Sequence, residues 1–472
     1  MDGAHARDPN YTLERSVNRV MDRRQFLLSL ALLGTPLTKP RNRRRAGTQN
    51  VALPPLTLSP PPGSYTGEAQ RLTALIFGRF WDANVGMFRA PVRSAETVDS
   101  DPPHQNGYTF WPSLLAFHTL VEGEKIRRGR YKARMAQVYR GLEQYYDPQK
   151  HAYNAWRHFP GNNDTYYDDN AWGVTTLVAA YEATGDAAYR DRAQQVMEGF
   201  VSGGWDPTDT PGGVRWGTDP TKPHTADKTA SATAGAALAA LGLARLGIHR
   251  ASNIAWAQSA LTWLQRHLQD KDGLIRDGLQ APTWTVMPTK WTYNTGVPIR
   301  AYVEHYRLTH DPASLEAAKR LARAATDRNK ALYDQLVRDP ERRFFYDSSF
   351  FVHYLADGLL ALYRVTQDAA LLDEVKRNAN YAYAYLRDPT DGLYFRNFRL
   401  WRIGEAQYQA WRRLTGQEHR REPDAAERSQ ADKDTRLPVS ARPLVKTLLA
   451  NAGCARLFWL LAQVQTVPHP SS

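Results

Sequence analysis

The sequence predicts an all-α fold built from repeated helical hairpins. Apolar residues recur at spacings of three and four through much of the chain, whereas alternating period-two runs are scarce. A short pattern, Tyr-x-x-Thr-x-Asp, also recurs, starting at Tyr181, Tyr306 and Tyr363. Each copy ends one apolar segment and begins another. A degenerate copy at 245–249 brings the repeat to about sixty residues, which is enough for two helices and their loops.

Seven segments carry the helical spacing most clearly. The predicted helices are 187–201, 230–246, 254–268, 297–308, 315–325, 350–363 and 371–386. A chain of such hairpins either closes into a toroid or extends as a solenoid. Loops rich in glycine and aromatic residues favour closure around a site, because loops held by a rigid scaffold commonly carry function. The loops in question are 203–206, 212–216 and 290–296.

The first 45 residues read as an export signal. They carry ten Lys or Arg and four Asp or Glu, a net charge of +6, which leaves 13 − 6 = +7 for the rest of the chain. The run at 22–28, Asp-Arg-Arg-Gln-Phe-Leu-Leu, resembles the twin-arginine motif, and Met21 is a plausible start. The apolar stretch that follows, 26–38, is too short to span a bilayer comfortably. We expect export by the twin-arginine machinery to the periplasm, cell surface or medium.

Beyond this signal, the sequence divides into a linker, one large domain and a tail. Residues 46–64 are rich in Pro and form a tether or a strap, 65–465 form the helical domain, and 466–472 are a polar tail. Within the domain, 415–440 is a charged insertion that we expect to be exposed. We expect a monomer.

Composition and residue spacing exclude several classes of function. The body has no basic stripe interleaved with aromatics, so nucleic-acid binding is not expected. The single cysteine, Cys454, excludes intramolecular disulfides and is expected to be buried. No His, Asp or Glu cluster has the spacing of metal ligands, so neither a metal nor a cofactor is expected.

Two adjacent aspartates, Asp168 and Asp169, lie where an aromatic loop gives way to an apolar helix. Glycosidic bonds break through an oxocarbenium-like transition state, which calls for one ionised and one protonated carboxyl group. Placing two like charges together helps to split their pKa values. The alternative is structural, with Asp168 as a helix cap and Asp169 favoured in the first turn by the helix dipole.

Adjacent positions place a geometric demand on a catalytic pair. A retaining glycosidase needs carboxyl groups about 5 to 5.5 Å apart, whereas neighbouring residues of a helix diverge by about 100°. Either the helix start is irregular, or the curvature of the barrel brings the cleft around both side chains.

Several further landmarks resemble glycoside hydrolase family 76, the α-1,6-mannanases. They are Tyr166-Tyr167-Asp168-Asp169 with Trp172, the segment 181–186, Gly212-Gly213 with Trp216, Trp291-Thr292-Tyr293-Asn294 with Gly296, and the segment 351–357. The resemblance covers 65–461. It implies an (α/α)6 barrel and an endo-acting, retaining hydrolase of α-1,6-mannosidic linkages in mannan or another mannose-containing glycan. It also implies Asp168 as the nucleophile and Asp169 as the general acid/base.

The remaining candidates would bind the sugar. They are Tyr166, Tyr167, Trp172, Arg215, Trp216, Asp227, Lys228, Trp291, Tyr293 and Asn294. Aromatic rings suit the C–H faces of pyranoses, and an amide can both donate to and accept from hydroxyls. Trp172 either packs under Asp169 or belongs to the core. Arg215 stands where family members often have an aromatic, so it either binds an anionic decoration of the glycan or pairs with a nearby aspartate.

Three other polar residues have structural interpretations, and three other functions fit parts of the sequence. Asp347 and Asp357 are expected to be solvated or capping residues, and His353 a core histidine. A transglycosylase would share the same intermediate, and a non-enzymatic glycan-binding or cell-wall protein would share the barrel. A sugar epimerase would need a pair of histidines facing the cavity, which the sequence does not indicate.

The export signal is testable directly. Replacing Arg23 and Arg24 together with lysine should leave the protein in the cytoplasm, because the twin-arginine pathway reads the arginine pair itself. Fractionation of cells that express either form measures this, and secretion of the double-lysine form at the normal level would reject the assignment.

Overall fold

The computed structural model describes residues 53, 55–89, 108–157, 161–208, 212–429 and 432–466. The export signal and the tail lie outside the described residues. The helices are α1 Tyr65–Phe80, α2 Phe110–Ile126, α3 Lys132–Leu142, α4 Tyr167–Thr184, α5 Ala187–Gly199, α6 Ala230–Arg245, α7 Arg250–His267, α8 Thr292–Thr309, α9 Pro312–Thr326, α10 Ser349–Thr366, α11 Ala369–Tyr381, α12 Glu405–Thr415, α13 Asp432–Thr435 and α14 Leu448–Thr466. The all-α prediction is confirmed. None of these helices is both long enough and apolar enough to cross a bilayer.

The Tyr-x-x-Thr-x-Asp pattern is a tight corner between two antiparallel helices. At the corner between α8 and α9, the backbone N–H of His310 donates to the Tyr306 carbonyl (2.7 Å), with His310 in the left-handed region at φ 58°. The Thr309 hydroxyl accepts from the N–H of Asp311 (3.2 Å), and Asp311 caps α9 by accepting from the N–H of Ala313 (3.0 Å). The α4–α5 and α10–α11 corners repeat these bonds. The repeat therefore marks where each hairpin turns.

Within the described residues, six helices form a closed inner ring. They pack side by side in the order α2, α4, α6, α8, α10 and α14, and α14 packs in turn against α2. Each is covered on its outer side by a partner: α3 on α2, α5 on α4, α7 on α6, α9 on α8, α11 on α10, and α1 on α14. The first and last long helices thus complete one hairpin, which closes the (α/α)6 barrel that the resemblance implied.

Backbones approach most closely between α8 and α10. A side chain added at Gly296 would lie 2.4 Å from the Cα of Leu355, and one at Gly358 would lie 2.3 Å from the carbonyl oxygen of Gly296. Only glycine at both positions permits this contact. Gly296 therefore serves the close packing of α8 against α10.

The two ends of the barrel differ. Inner helices pass to outer helices through short corners at one end, whereas long loops return to the N-termini of the inner helices at the other. These loops carry short antiparallel strands, which are β1 Trp81–Asp82 with β2 Met87–Phe88, β3 Tyr146–Asp147 with β4 Ala152–Tyr153, and β5 Lys228–Thr229 with β6 Gly278–Gln280 and β7 Thr285–Met287. The N-terminal ends of the inner ring, with their loops, form the mouth of the barrel.

Two segments outside the repeat pack on the barrel. In the described part of the linker, Leu56 and Leu58 pack against the core, so this part is a strap. In the insertion, Asp424, Glu427 and Arg428 are buried, whereas most of its other described residues are at least partly exposed. Asp424 and Glu427 face Arg396 of the 396–402 loop. The apolar α14 buries Cys454, as predicted.

A belt of charged and polar side chains joins the inner helices below their midpoint. Arg456 of α14 donates to Asp357 of α10 (2.7 Å) and to Glu122 of α2 (3.4 Å). Beyond Asp357, Arg300 and Glu304 of α8 continue the belt to Arg245 of α6 and Glu182 of α4. The contact between His118 of α2 and Thr176 of α4 (3.1 Å) closes it. Buried charges of this kind are tolerated only in pairs, so the belt fixes the register of the ring.

Histidines in the belt are neutral. Burial, reinforced by the charge of Arg456, lowers the pKa of His118 to about 4. Its Nε2–H then donates to Glu122 (3.2 Å), and its Nδ1 accepts from the Thr176 hydroxyl. His353 likewise accepts from Arg456 at Nδ1 (2.9 Å), and burial lowers its pKa. His353 is the core histidine that the sequence predicted.

The neutral state of His118 predicts a pH dependence of stability. Between pH 6.5 and about 4 the unfolded chain binds a proton at this histidine and the folded chain does not. The free energy of unfolding should therefore fall as pH falls through that window, by up to about 3 kcal/mol from this residue. His118→Gln keeps a donor and an acceptor but cannot titrate, so its stability should depend less on pH. Urea unfolding at pH 7, 6, 5 and 4.5 measures both forms, and identical pH dependence would contradict the assignment.

Candidate active site

Asp168 lies at the barrel mouth, in the first turn of α4, and is held by three donors. The indole N–H of Trp216 donates to its Oδ2 (3.0 Å), as does the hydroxyl of Ser231 (3.2 Å). The backbone N–H of Asp169 donates to its Oδ1 (2.9 Å). Both aspartates are buried, at 7% and 1% exposure, so the charge-assisted bonds to Asp168 form in a site with little water.

The loops that carry these donors are fixed to the start of α4. The side-chain amide of Asn170 accepts from the backbone N–H of Tyr153 (2.7 Å) and donates to the carbonyl of the same residue (2.9 Å). It thus pairs with the backbone of Tyr153 in the way that the backbone of an adjacent β-strand does. The N–H of Tyr167 donates to the Trp216 carbonyl (2.9 Å). The backbone around the two carboxyl groups is therefore held from two sides.

A regular helix start brings both aspartates to the bore. The rings of Trp172 on α4 and Tyr354 on α10 meet across the ring, with centroids 4.3 Å apart. Since α4 and α10 are opposite members of the ring, this contact marks the direction of the bore. At 100° per residue, Asp168 lies about 40° to one side of Trp172 and Asp169 about 60° to the other. The curvature of the barrel, and not an irregular helix, lets the pair share one cleft.

Trp172 and Tyr354 form the floor of this cleft. Both are 7% exposed, and they lie about one helical turn below the aspartates. Burial raises the pKa of Tyr354, and the charges of Asp168 and Asp169 raise it further. Tyr354 is therefore a neutral phenol close to both carboxyl groups. Trp172 supports the site from below, so its two proposed roles, under Asp169 and in the core, are compatible.

An aromatic wall faces the aspartates across the mouth. Phe351 at the start of α10 contacts Tyr293 (centroids 4.4 Å apart), Trp291 (5.6 Å) and Trp111 (6.0 Å). Tyr293, Trp291 and Phe351 are partly exposed. Flat, partly exposed rings at a cleft suit the apolar faces of sugars. Trp291 and Tyr293 were predicted, whereas Trp111 and Phe351 were not proposed as site residues.

Acidic groups support this wall. Asp277 accepts from the hydroxyl of Tyr293 (3.2 Å) and from the amide of Asn294 (3.2 Å). Burial, with Asp277 and Asp168 nearby, raises the pKa of Tyr293. Asp347 accepts from the N–H and the hydroxyl of Thr292 (both 2.8 Å), so it caps α8, and burial raises its pKa. Asn294 is fully buried and orders the wall from behind.

Arg215 and Lys228 form a separate cluster around Asp206. Arg215 is half exposed and donates from Nε to Asp206 (3.1 Å), while Lys228 is fully buried with its ammonium 3.5 Å from the same carboxylate. Burial of Asp206 opposes its ionisation, but hydrogen bonds from Thr208 and the two cations lower its pKa to about 2. Arg215 thus shows the pairing with a nearby aspartate that the sequence allowed. Its role in substrate binding, and that of Lys228, stay predictions.

Three other predicted residues have clear structural contacts. Tyr166 is buried against Trp216, with ring centroids 5.0 Å apart, so it supports the donor to Asp168. Tyr167 turns away from the bore and stacks on Phe200 (4.5 Å). Asp227 is buried and accepts from the N–H of Ala281 (2.9 Å), which braces a loop of the mouth. Direct sugar contacts by these residues also stay predictions.

The family model for glycosyl hydrolase family 76 matches residues 68–406, a range that includes the mouth and most of the ring. The chain belongs to glycosyl hydrolase family 76. A curated relative from Schizosaccharomyces pombe, the meiotically up-regulated gene 191 protein, is 28% identical over 430 residues, covering 86% of this chain and 94% of the relative.

Solved structures of family 76 share the fold. An α-mannanase from Bacteroides thetaiotaomicron superposes with a TM-score of 0.65 at 17% identity, covering 85% of this chain and 96% of the other. An α-1,6-mannanase of Salegentibacter sp. HEL1_6 superposes at 0.62 and 18% identity, covering 85% and 100%. It is an inactive variant in which two consecutive aspartates are replaced by asparagine, and it is in complex with α-1,6-mannotriose.

No group of His, Cys, Asp and Glu among the described residues is arranged to hold a metal ion. Several residues that shape this site were not predicted from the sequence. Ser231 and Asp277 lie far from the Asp pair in sequence and had no local signal, whereas Tyr354 lies within the landmark segment 351–357. Asn170 directly follows the pair, and its position in a helical first turn could have suggested a bond to a preceding loop.

The bond from Trp216 to Asp168 can be tested with a matched pair of variants. Trp216→Phe keeps an aromatic ring but removes the donor, so kcat/KM on α-1,6-mannan should fall roughly tenfold or more. Trp156→Phe removes an indole donor in the same aromatic cluster, where it binds Asp164 at 3.1 Å instead, and should change the rate little. Equal losses in both variants would show that packing, and not the bond to Asp168, matters.

Proposed function

We propose that this family 76 hydrolase cleaves α-1,6-mannosidic linkages within a mannan chain and retains the anomeric configuration. The observation that carries the proposal is the Asp168–Asp169 pair at the mouth, with Asp168 held by Trp216, Ser231 and a backbone N–H. The Salegentibacter mannanase supports it. Two consecutive aspartates are replaced by asparagine in the inactive variant of that enzyme, which is in complex with α-1,6-mannotriose.

In this proposal Asp168 is the nucleophile. A nucleophilic carboxylate must be ionised and held still, and three donors stabilise the charge on Asp168. It attacks the anomeric carbon, the bond to the departing O6 breaks, and Asp169 gives that oxygen its proton. Asp169 then takes a proton from water as the water attacks the same carbon and releases Asp168. Two inversions at one carbon leave the product with the configuration of the substrate.

The aromatic wall supports action within a chain. Phe351, Trp291 and Tyr293 extend the apolar surface of the mouth from α8 to α10, with the buried Trp111 packed against Phe351. These partly exposed rings offer places for successive sugars. An endo-acting enzyme needs such a surface on both sides of the bond that it cleaves. The floor made by Trp172 and Tyr354 closes the bore below, so the glycan lies across the mouth and does not pass through the barrel.

Transglycosylation remains the second candidate, because a sugar hydroxyl could attack the same intermediate in place of water. Mass spectrometry of the products separates the two functions. Shorter mannans alone indicate hydrolysis, whereas longer products or transfer to an added mannoside acceptor indicate transglycosylation. We also propose export to the cell exterior, on the basis of the twin-arginine-like run at 22–28.

The catalytic roles are tested by single substitutions. Asp168→Asn and Asp169→Asn should each lower kcat on α-1,6-mannan by at least about a thousandfold, because one removes the nucleophile and the other the proton donor. Their melting temperatures should change little. Asp311→Asn, at a helix cap on the far end of the barrel, is the matched control and should keep nearly full activity.

Two further measurements assign the roles separately. Azide should restore turnover of an activated aryl mannoside by Asp169→Ala, because such a leaving group needs no acid and azide replaces the base-assisted water. Proton NMR of the first product should show the α-anomer with the wild-type enzyme. Near-normal activity in either asparagine variant, or a β-anomeric first product, would reject the proposed mechanism.

A further inference from the structure

The loop at 396–402 places three arginines close together under the polar insertion. Arg396 and Arg402 are buried, at 4% and 1% exposure, and Arg399 is partly buried at their outer edge. The guanidinium of Arg399 lies over the ring of Tyr346, 4.0 Å from its centroid. Arg399 and Arg402 lie over the same ring of Trp401, 6.0 and 5.6 Å from its centroid. Arg396 and the backbone of Arg402 both bond to Asp424, so the three side chains are close together. Three positive charges are therefore concentrated in a small, poorly hydrated volume.

The acidic groups nearby do not balance these charges. Asp424 accepts from Arg396 (2.6 Å) and Asn397 (2.9 Å) with one oxygen and from the N–H of Ala426 (3.0 Å) with the other. Both carboxylate oxygens of Asp424 therefore already accept hydrogen bonds within the protein. Burial raises the pKa of Glu427 to about 8, so this carboxyl group is mostly protonated at neutral pH. Asp334 and Asp347 act on Arg399 through space, but burial raises the pKa of both carboxyl groups. Among the described residues, Asp424 is the carboxylate that accepts hydrogen bonds from a guanidinium group of this cluster.

Several donors of the cluster have no acceptor within the described part of the chain. They are Nε and Nη2 of Arg402, Nε and Nη1 of Arg396, and Nε of Arg399. A guanidinium has five N–H donors and no acceptor, and leaving them unsatisfied in a buried site is costly. Burial and the neighbouring arginines lower the pKa of Arg402 to about 10, which leaves it charged at neutral pH.

We propose that Arg396, Arg399 and Arg402 bind a small inorganic oxyanion of the phosphate or sulfate class. Such an ion supplies several acceptor oxygens and negative charge at one point, and planar guanidinium groups bind oxyanions bidentately. A water molecule supplies acceptors but no charge. The low exposure of Arg396 and Arg402 favours a free ion over a phosphate carried on a glycan.

The site has a structural consequence for the mouth. The carbonyl of Arg396 accepts from the N–H of Ser349 (2.7 Å), and its guanidinium lies 5.8 Å from the ring centroid of Phe350. Phe350 contacts Phe351 of the aromatic wall (4.7 Å). On the other side, the carbonyl of Arg402 accepts from the N–H of Asp424 (3.0 Å). A bound oxyanion thus joins the insertion to the loop that supports the start of α10.

Thermal unfolding of the full chain tests the binding. After exhaustive dialysis into a zwitterionic buffer, phosphate or sulfate should raise the melting temperature of the wild type saturably, by about a few degrees. Sodium chloride at the same ionic strength should not. Mannose 6-phosphate should also fail. A rise with chloride equal to that with phosphate, or a rise with mannose 6-phosphate alone, would overturn the proposal.

Variants assign the effect to the cluster. Arg402→Met keeps much of the side-chain volume without the charge, and should weaken phosphate binding at least about tenfold while unfolding no earlier than the wild type in anion-free buffer. Arg399→Gln, at the partly exposed edge, should weaken binding as well and serves if Arg402→Met does not fold. Arg307→Gln removes an exposed arginine from the last turn of α8 and should leave the phosphate response unchanged.

Equilibrium dialysis with radiolabelled phosphate gives an independent measure of the same site. The wild type and Arg307→Gln should show one class of saturable sites, and Arg402→Met should show weakened binding. Absence of saturable binding in the wild type would mean that water alone satisfies the arginines, and an unchanged affinity in both Arg402→Met and Arg399→Gln would place the ion elsewhere.

Discussion

Closure of the inner ring is the constraint on which the rest of this structure depends. Six parallel helices arranged in a ring leave a central bore, which side chains must fill. Here it is filled in two layers, by the Trp172–Tyr354 contact near the mouth and by the charged belt below it. The belt links all six inner helices through pairs such as Arg456 with Asp357, and a lost partner would leave a buried charge. Both the depth of the cleft and the register of its residues follow from these layers.

Parallel inner helices also make the two ends of the barrel electrostatically different. Their N-termini share the mouth, where partial positive charge favours carboxylates such as Asp168, Asp169 and Asp347. Their C-termini share the opposite end, where the last turns carry Arg245 and Arg364. Helix dipoles thus favour acids at one end and arginines at the other. Long loops at the mouth can vary around a fixed acidic centre, whereas the tight corners at the far end only hold the hairpins together.

Features that depend on local sequence could be predicted, and those that depend on distant contacts could not. The Tyr-x-x-Thr-x-Asp corners and the Asp pair use residues within a few positions of one another, so their patterns were visible in the sequence. Trp216 and Ser231, by contrast, reach Asp168 from 48 and 63 residues away. The contact between Lys228 and Asp206, 22 residues apart, likewise has no local pattern, and it leaves Lys228 fully buried. Composition also does not reveal that Asp424 and Glu427 of the insertion are buried against Arg396.

The two aspartates have unequal surroundings, and the proposed mechanism gives them different roles on that basis. Asp168 leans toward α6, where Trp216 and Ser231 donate to one of its oxygens, and its other oxygen accepts from the backbone. A carboxylate held by three hydrogen bonds cannot rotate freely, which suits the proposed nucleophile. Asp169 lies on the other side of the bore direction and is the more deeply buried of the two. If Asp168 were the proton donor instead, its carboxyl oxygens would already accept three hydrogen bonds, from Trp216, Ser231 and a backbone N–H. The proposed assignment of Asp168 as the nucleophile and Asp169 as the acid rests on which side of α4 faces α6.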